Sequence, residues 1–414
     1  MRTTPAEGMN DFLPRETEIR DRLMEQIVKS YRSYGFTKIT TPIVESIENL
    51  DNSDGGDNLK LIFRVMKRGQ KLENALQSGD PADLCDLGLR YDLTLPLVRY
   101  FANNRAKLPD PFKCIQIDRA YRAERPQKGR SREFVQCDID IIGSDSLDSE
   151  VELITVTAET LLSIGVSDFT VRINDRRALR SIIESAGFDP ADSDSVCISI
   201  DKLDKIAEDG VIAELLEKGF ASVAVDALMN TLGGGVAADD LVKYADPSVA
   251  EGVKYVIDKA TELSGGRYGV KYDVTLVRGQ GYYTGAVFEI DSPAFGGTIA
   301  GGGRYDGLIG RFTGENVPAV GFSIGFERIF SILAGGEAAG GRKKVALLYD
   351  EGQIAEALKF SASLRGDADV TLVRKKKKLG KQFGQLEAQG FGEVRFLDDP
   401  GEIKVLGAAG DRNV

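Results

Sequence analysis

Apolar residues recur at helical spacing near the start of the chain. Ile19, Leu23, Ile27, Tyr31 and Tyr34 fall on one face and stop at Gly35, which predicts an amphipathic helix closed by a glycine. The pattern then changes to short β-rich runs at Ile39 to Val44, Leu61 to Val65, Phe112 to Ile117 and Val135 to Ile142. Pro42 cannot donate to a ladder, so the first run should lie at a sheet edge or an interface. Turn signals rather than crossover helices separate these runs, which favours an antiparallel sheet over a doubly wound parallel one.

A helix from Glu150 to Ile164 leads to a strand at Phe169 to Ile173. From about Asp189 to Ser264 the pattern is mainly helical and polar, as expected of an insertion within a larger domain. Strand character resumes at Tyr272 to Leu276, at Ala286 to Ile290 and through the glycine cluster Gly296 to Gly303. Ala334 to Gly341 reads as a linker. Beyond it, Val345 to Tyr349, Ile354 to Leu364, Val370 to Val373, Leu379 to Gln389 and Val394 to Leu397 alternate strand and helix, predicting a small α/β domain. The expected division is a larger domain over 1–333, with its insertion at about 189–264, and a second domain over 342–414.

With 42% hydrophobic and 28% charged residues, the 414-residue chain is expected to be globular and large enough for two or three domains. Residues 1–10 are polar, and no apolar run approaches the roughly 20 residues that span a bilayer. A cytoplasmic protein without a membrane partner is expected. Cys85, Cys114, Cys137 and Cys197 form no Cys-x-x-Cys pair and read as reduced thiols in the core or as bystanders. The net charge of −11 is uneven: residues 342–414 hold 14 Lys or Arg against 11 Asp or Glu, so the rest carries −14. Arg374 to Lys378 are five consecutive cations that can attract a polyanion, or equally form a solvated face.

The sequence contains no histidine. Ser-His-Asp and Cys-His nucleophile systems, a His-ligated zinc and a His general base are thereby excluded. Catalysis must rest on Arg, Lys, Asp, Glu, Tyr, Gln or backbone amides, or on a substrate that brings its own nucleophile.

Three constellations offer such chemistry. Tyr121 to Phe134 (YRAERPQKGRSREF) is a basic loop between two β runs, whose forked donors match phosphate oxygens while Phe134 offers a face to a base. Alone, such a loop is equally a solvated hairpin tip. The second is Leu276 to Gly285 (LVRGQGYYTG); the third joins Ala300 to Gly307 (AGGGRYDG) with Gly321 to Arg328 (GFSIGFER). Glycines on strands let a ligand approach the backbone, although a single cluster is more often a bulge. Arginine embedded in each points to a large anionic ligand.

Arg122-Ala123-Glu124-Arg125-Pro126 with Phe134 resembles motif 2 of class II aminoacyl-tRNA synthetases, and Gly325-Phe326-Glu327-Arg328 resembles motif 3. Thr40-Thr41-Pro42 sits where motif 1 would be. Arg278 to Tyr283 and Gly302 to Gly307 are similar to two stretches peculiar to histidyl-tRNA synthetases, and the similarity covers nearly the whole chain. The resemblance implies a fold of mixed α/β (α+β) class: an antiparallel class II sheet flanked by helices, a helical insertion, a small C-terminal α/β anticodon-binding domain, and a homodimer. It implies ATP with Mg²⁺ held mainly by the phosphates, and L-histidine and tRNA(His) as partners. By position, Arg122 and Arg328 would hold the α- and γ-phosphates, with Arg130 also on ATP; Glu124 and Phe134 would hold the adenine. Arg278, with Arg122, would carry the catalytic role of stabilising charge at the α-phosphate. Asp92, Thr94 and Gln136 would grip the histidine α-amino group, and Asp140, Tyr282 and Tyr283 the imidazole.

Against the family pattern, Gln280-Gly281 replaces a frequent Leu-Asp, Asp92 a frequent Glu, and Ser131 a frequent aromatic. The C-terminal domain is short. An alternative within the resemblance is a non-catalytic histidine sensor that regulates ATP phosphoribosyltransferase; such proteins usually lack the anticodon domain and lose the ATP arginines, all of which this chain keeps. A generic RNA-binding module would account for the Lys run alone. An enzyme that makes histidyl-tRNA but contains no histidine would also be translatable when that charged tRNA is scarce.

Overall fold

The computed structural model describes residues 1–52, 56–126, 130–278, 281–334 and 342–407. Gln127, Lys128 and Gly129 of the basic loop, Gly279 and Gln280 of the second constellation, and the expected linker from residue 335 onward lie outside the described residues. The chain divides into two compact units, Met1–Gly336 and Glu337–Val414.

In the first unit the helices are α1 (Pro14–Ser33), α2 (Ile47–Asp51), α3 (Gln70–Ser78), α4 (Thr94–Asn104), α5 (Asp148–Ser163), α6 (Arg176–Ser185), α7 (Ser193–Ile200), α8 (Leu203–Glu217), α9 (Ser222–Gly233), α10 (Pro247–Ser264), α11 (Asp306–Thr313) and α12 (Phe326–Leu333). The strands are β1 (Thr37–Lys38), β2 (Val44–Ser46), β3 (Arg64–Met66), β4 (Cys85–Leu89), β5 (Phe112–Tyr121), β6 (Glu133–Ile142), β7 (Thr170–Asp175), β8 (Gly269–Tyr272), β9 (Ala286–Ser292), β10 (Gly297–Arg304) and β11 (Ala319–Gly325).

Proline at the first turn and Glu16, whose carboxylate accepts from the Leu13 amide at 2.7 Å, start α1. Ile19, Leu23, Ile27 and Tyr31 bury its apolar face, and Gly35 turns the chain at φ +83°.

An eight-stranded sheet, in the order β1-β5-β6-β11-β10-β9-β7-β8, forms the frame. Its six central strands pair antiparallel, and only the edge pairs β1·β5 and β7·β8 are parallel. The antiparallel reading of the sequence therefore holds for the sheet interior. Side chains alternate across it. On β6, Val135, Cys137, Ile139 and Ile141 enter the main core with residues of α1 and α5, leaving Phe134, Gln136, Asp138 and Asp140 for the opposite face. Helices α6 to α10 bury a separate apolar cluster of their own, which spans the residues expected as a helical insertion and also takes in α6 before them.

Three expected strands are shorter or displaced. Ile39 to Val44 is not one strand: β1 stops at Lys38 and β2 starts at Val44 in a separate three-stranded sheet. The carbonyls of Thr41 and Pro42 instead accept from the buried Arg90 guanidinium at 2.9 and 3.3 Å, which satisfies them outside any ladder. The run expected at Tyr272 to Leu276 ends at Tyr272, because the Asp273 carboxylate accepts from the Thr275 amide and hydroxyl and folds a turn. Similarly, Leu61 closes a 3₁₀ turn and strand structure begins only at Arg64.

The second unit contains β12 (Lys343–Tyr349), α13 (Ile354–Leu364), β13 (Ala368–Arg374), α14 (Leu379–Ala388), β14 (Glu393–Phe396) and β15 (Ile403–Val405). Its sheet, β13-β12-β14-β15, is parallel over the first three strands, as strand-helix-strand connections require, and β15 adds an antiparallel edge. Within the cationic run, Arg374 pairs with Glu351 and Lys375 with Asp350 and Asp398, while Lys377 and Lys378 are exposed. Among the described residues no helix is long and apolar enough to cross a membrane.

Candidate active site

The polar face of the large sheet opens into a cavity of about 600 Å³. Every one of Asp92, Thr94, Arg122, Glu124, Arg130, Phe134, Gln136, Asp140, Arg278, Tyr282, Tyr283 and Arg328 lines it. They come from sites far apart in sequence. Asp92 and Thr94 open α4, with Asp92 Oδ1 accepting from the Leu95 amide at 3.2 Å. Arg122 and Glu124 leave β5, while Phe134, Gln136 and Asp140 ride on β6. Arg278, Tyr282 and Tyr283 precede β9, and Arg328 lies in the first turn of α12.

Four guanidiniums form the cationic part of the wall. Arg122 is anchored by a 3.0 Å bond from Nε to the Tyr91 carbonyl and sits 5.1 Å from the centre of the Phe134 ring. Arg130 lies 3.4 Å from the Glu124 carboxylate. Arg278 donates to Glu289 at 2.6 Å; burial pulls the Arg278 pKa down, but Glu289 and the flanking tyrosines outweigh it and the net shift is upward. Arg328 donates to the Thr298 carbonyl. Its pKa is lowered by burial, then by Arg130 and Arg278, against which Glu289 offers partial relief. A half-buried cation held down by neighbouring cations, as Arg328 is, calls for an anion, and the forked donors of the four guanidiniums fit phosphate oxygens.

The acidic part is built from Asp92, Asp138 and Asp140, each at most 5% exposed. Tyr305 donates to Asp140 at 2.7 Å, and Tyr282 to Asp92 at 3.4 Å. Burial is the main cause that raises all three carboxyl pKa values. Asp140 reaches about 7, with Asp92 adding to the rise and Tyr305 opposing it. Asp138 is pushed well up by burial and then by Asp140. Buried carboxylates in this state call for a cation or for hydrogen-bond donors.

Gly321 lies opposite Asp140 on β11, and any side chain there would overlap the carboxylate. Gly301 similarly leaves room for the Arg278 guanidinium. Here the glycine clusters act by close approach rather than by positive φ.

Several lining residues escape the sequence reading. Asp138 alternates with Gln136 and Asp140, so its period-two spacing on one strand was the available signal. Tyr305 and Ser323 lie within the third constellation without a role of their own there, and Glu289 and Thr298 had no comparable pattern. Ile200, Asp201, Leu203 and Lys205, around the α7–α8 junction, also reach the cavity. Gly281, without a side chain, presents its carbonyl to Arg176 at 3.4 Å.

Known proteins resemble this chain over most of its length. A family model described as histidyl-tRNA synthetase matches residues 8–329. The histidine–tRNA ligase of Leifsonia xyli subsp. xyli is 45% identical over 417 residues, covering 95% of each chain. Among solved structures, the histidyl-tRNA synthetase of Nostoc sp. PCC 7120 superposes with a TM-score of 0.77 at 28% identity, over 95% of this chain and 91% of that one. An ATP phosphoribosyltransferase regulatory subunit/histidyl-tRNA synthetase from Bacillus halodurans gives the same TM-score at 20% identity, over 96% and 98% of the two chains, a likeness of fold alone.

Proposed function

The chain belongs to the histidyl-tRNA synthetase family, activating L-histidine with ATP and charging tRNA(His), and within that activity we propose a division of work among its residues. The observation that carries it is the convergence of four guanidiniums, three of them half-buried, and three buried carboxylates on one cavity.

Arg122 and Arg328 hold the α- and γ-phosphates of ATP, Arg130 adds a further contact, and Glu124 with Phe134 receives the adenine. Mg²⁺, a hard cation, would be held mainly by the ATP phosphates and would supply charge neutralisation there. Asp92, Thr94 and Gln136 take the α-amino group of histidine; Asp140, Tyr282 and Tyr283 take the ring. The histidine carboxylate, already ionised at neutral pH, attacks the α-phosphorus, a new O–P bond forms and pyrophosphate leaves. No protein base is required, which is how a chain without histidine can perform the step. Arg278 faces the charge that builds on the α-phosphate, a form of stabilisation worth several kcal/mol in comparable sites. In the transfer step, a phosphate oxygen of the adenylate takes the proton of the attacking ribose hydroxyl. The C-terminal unit binds the anticodon arm, and the enzyme works as a cytoplasmic homodimer.

ATP–pyrophosphate exchange with each of the twenty amino acids tests this reading without tRNA. Exchange with histidine alone supports it; histidine binding without exchange would identify a sensor, and exchange with another amino acid would refute the pocket around Asp140 and Tyr282.

A further inference from the structure

Two buried acceptor atoms of cavity-lining residues have no hydrogen-bond donor among the described residues: Gln136 Oε1 and Asp138 Oδ1. They belong to residues two apart on β6, on the same face of the strand, one pleat repeat from each other. Asp138 is 5% exposed. Ser323, opposite it on β11, accepts from Gln136 Nε2 at 3.3 Å and turns its hydroxyl towards the Asp138 carboxylate. That engages one end of each side chain and leaves the other end of each bare. Asp92, the remaining carboxylate in range, is already committed in part, with one oxygen on the Leu95 amide and the other on Tyr282.

An orphaned buried acceptor costs stability, and two beside each other on a cavity wall are retained where a ligand brings the donors. The ligand must bring at least two donors from one small group, and a positive charge suits it, because three buried carboxyls, Asp92, Asp138 and Asp140, share this wall and Arg122 offsets Asp92 and Asp138 only in small part. An α-ammonium meets both needs, with three N–H donors on one charged nitrogen. The imidazole ring does not, since the N–H directions of its two nitrogens diverge and cannot serve neighbouring acceptors together.

We propose that Asp138 binds the α-ammonium group of the amino-acid substrate, accepting one N–H at Oδ1 while Gln136 Oε1 accepts a second and the third is shared by Asp92 and Thr94. This deepens the site assignment above and rests on it. Asp138 thereby becomes the main counter-charge of the substrate ammonium, and Asp140 is left to the ring.

The test uses two ligands that differ only in the amino group, histidinol and 4-imidazolepropanol, as inhibitors of histidine-dependent ATP–pyrophosphate exchange by the full-length enzyme. In Asp138→Asn the inhibition constant of histidinol should rise by about tenfold or more, as loss of a charge-assisted hydrogen bond implies, and that of the des-amino compound by less than about twofold. The KM for ATP should stay within about twofold. Equal weakening of both ligands would mark Asp138 as merely structural, and no weakening of histidinol, or selective weakening of 4-imidazolepropanol, would equally overturn the proposal. A crystal structure of the unmutated enzyme with histidinol decides the matter if the variant does not fold: the ligand nitrogen should lie within hydrogen-bond distance of Asp138 Oδ1, and a position beyond reach refutes the assignment. Failure of histidinol to compete with histidine in the unmutated enzyme would instead mean that the site assignment itself is wrong.

Discussion

Arg278 is held by Glu289: its Nη1 donates to Oε1 at 2.6 Å, and the second carboxylate oxygen of Glu289 accepts from Thr298 at 3.0 Å. The guanidinium is fixed on one side and offers its remaining donors to the cavity. A donor set aimed before the substrate arrives needs no reorganisation as charge builds, which is where much of an electrostatic rate gain comes from. Glu289→Ala should lower kcat for ATP–pyrophosphate exchange by about 10- to 100-fold, less than Arg278→Ala at about 100- to 1000-fold, while the KM for histidine changes little. Steady-state exchange kinetics on both variants check this. A rise in KM at constant kcat would assign Arg278 to ground-state binding instead.

Two adjacent glycines should separate activity from folding. A methyl group at Gly301 would overlap the Arg278 guanidinium, the far end of a flexible side chain that can swing away. At Gly302 the methyl would overlap the Gly321 carbonyl and the Phe322 backbone on β11, which cannot. Gly301→Ala should therefore remain folded with a Tm near that of the unmutated protein, yet lose most of its exchange activity. Gly302→Ala should lose several kcal/mol of stability, in the range of severe packing defects. Thermal melting and exchange assays on the two proteins, run side by side, test the contrast.

What the sequence revealed and what it hid follow from the physics of each element. The frame was legible because alternation on β6 and helical spacing on α1 are set by burial on one side, and the arginines because each sits in a distinctive local pattern. Glu289 was hidden inside the apolar run Ala286 to Ile290, where a lone carboxylate looks like a solvent-facing strand position; its importance comes from Arg278, which only the fold brings near. β15 was hidden for the opposite reason, since Ile403–Val405 is exposed throughout and carries no burial alternation. The segment 39–43 has strand-like composition, but Arg90, fully buried and 49 residues beyond Thr41, captures its carbonyls. No local pattern encodes that partnership.

Asp140 gives the empty enzyme a defined pH dependence. Its carboxyl titrates near 7 in the fold against an ordinary value of 3.8. Above the ordinary value the folded state holds a proton that the unfolded chain has released, so stability falls as pH rises from about 4 to about 7, by a total on the order of 4 kcal/mol. Asp140→Asn removes this penalty. The variant should melt at the same temperature as the unmutated protein near pH 4, and its advantage should grow up to about pH 7 and then level off. The chain has no histidine, so no imidazole of the protein titrates in this window. Melting curves across that range, with histidine exchange to confirm that the variant has lost substrate affinity, provide the check.

Lys377 and Lys378 are exposed, whereas Arg374 and Lys375 in the same run are engaged with carboxylates. If the exposed pair binds tRNA phosphates, replacing both with Glu should raise the KM for tRNA and flatten the dependence of log KM on log salt by roughly 0.7 to 0.9 for each phosphate left without its lysine. ATP–pyrophosphate exchange, which needs no tRNA, should be unchanged. Aminoacylation at several salt concentrations measures both effects.

The missing histidines bear on how the enzyme is made. Every ribosome translating a histidine codon waits for the product of this enzyme, so a histidine-containing synthetase would be made most slowly when its activity is most needed. This chain has no such codon. Its synthesis should therefore persist under histidine starvation relative to that of ordinary proteins. A variant carrying several histidines at exposed positions distant from the cavity, such as Glu251 and Lys259 on α10, should match it in stability and exchange activity but be synthesised more slowly in starved cells. Pulse labelling of the two proteins in the same host, with and without histidine, compares them directly. Equal rates under starvation would mean that the absence of histidine confers no protection on translation of this chain.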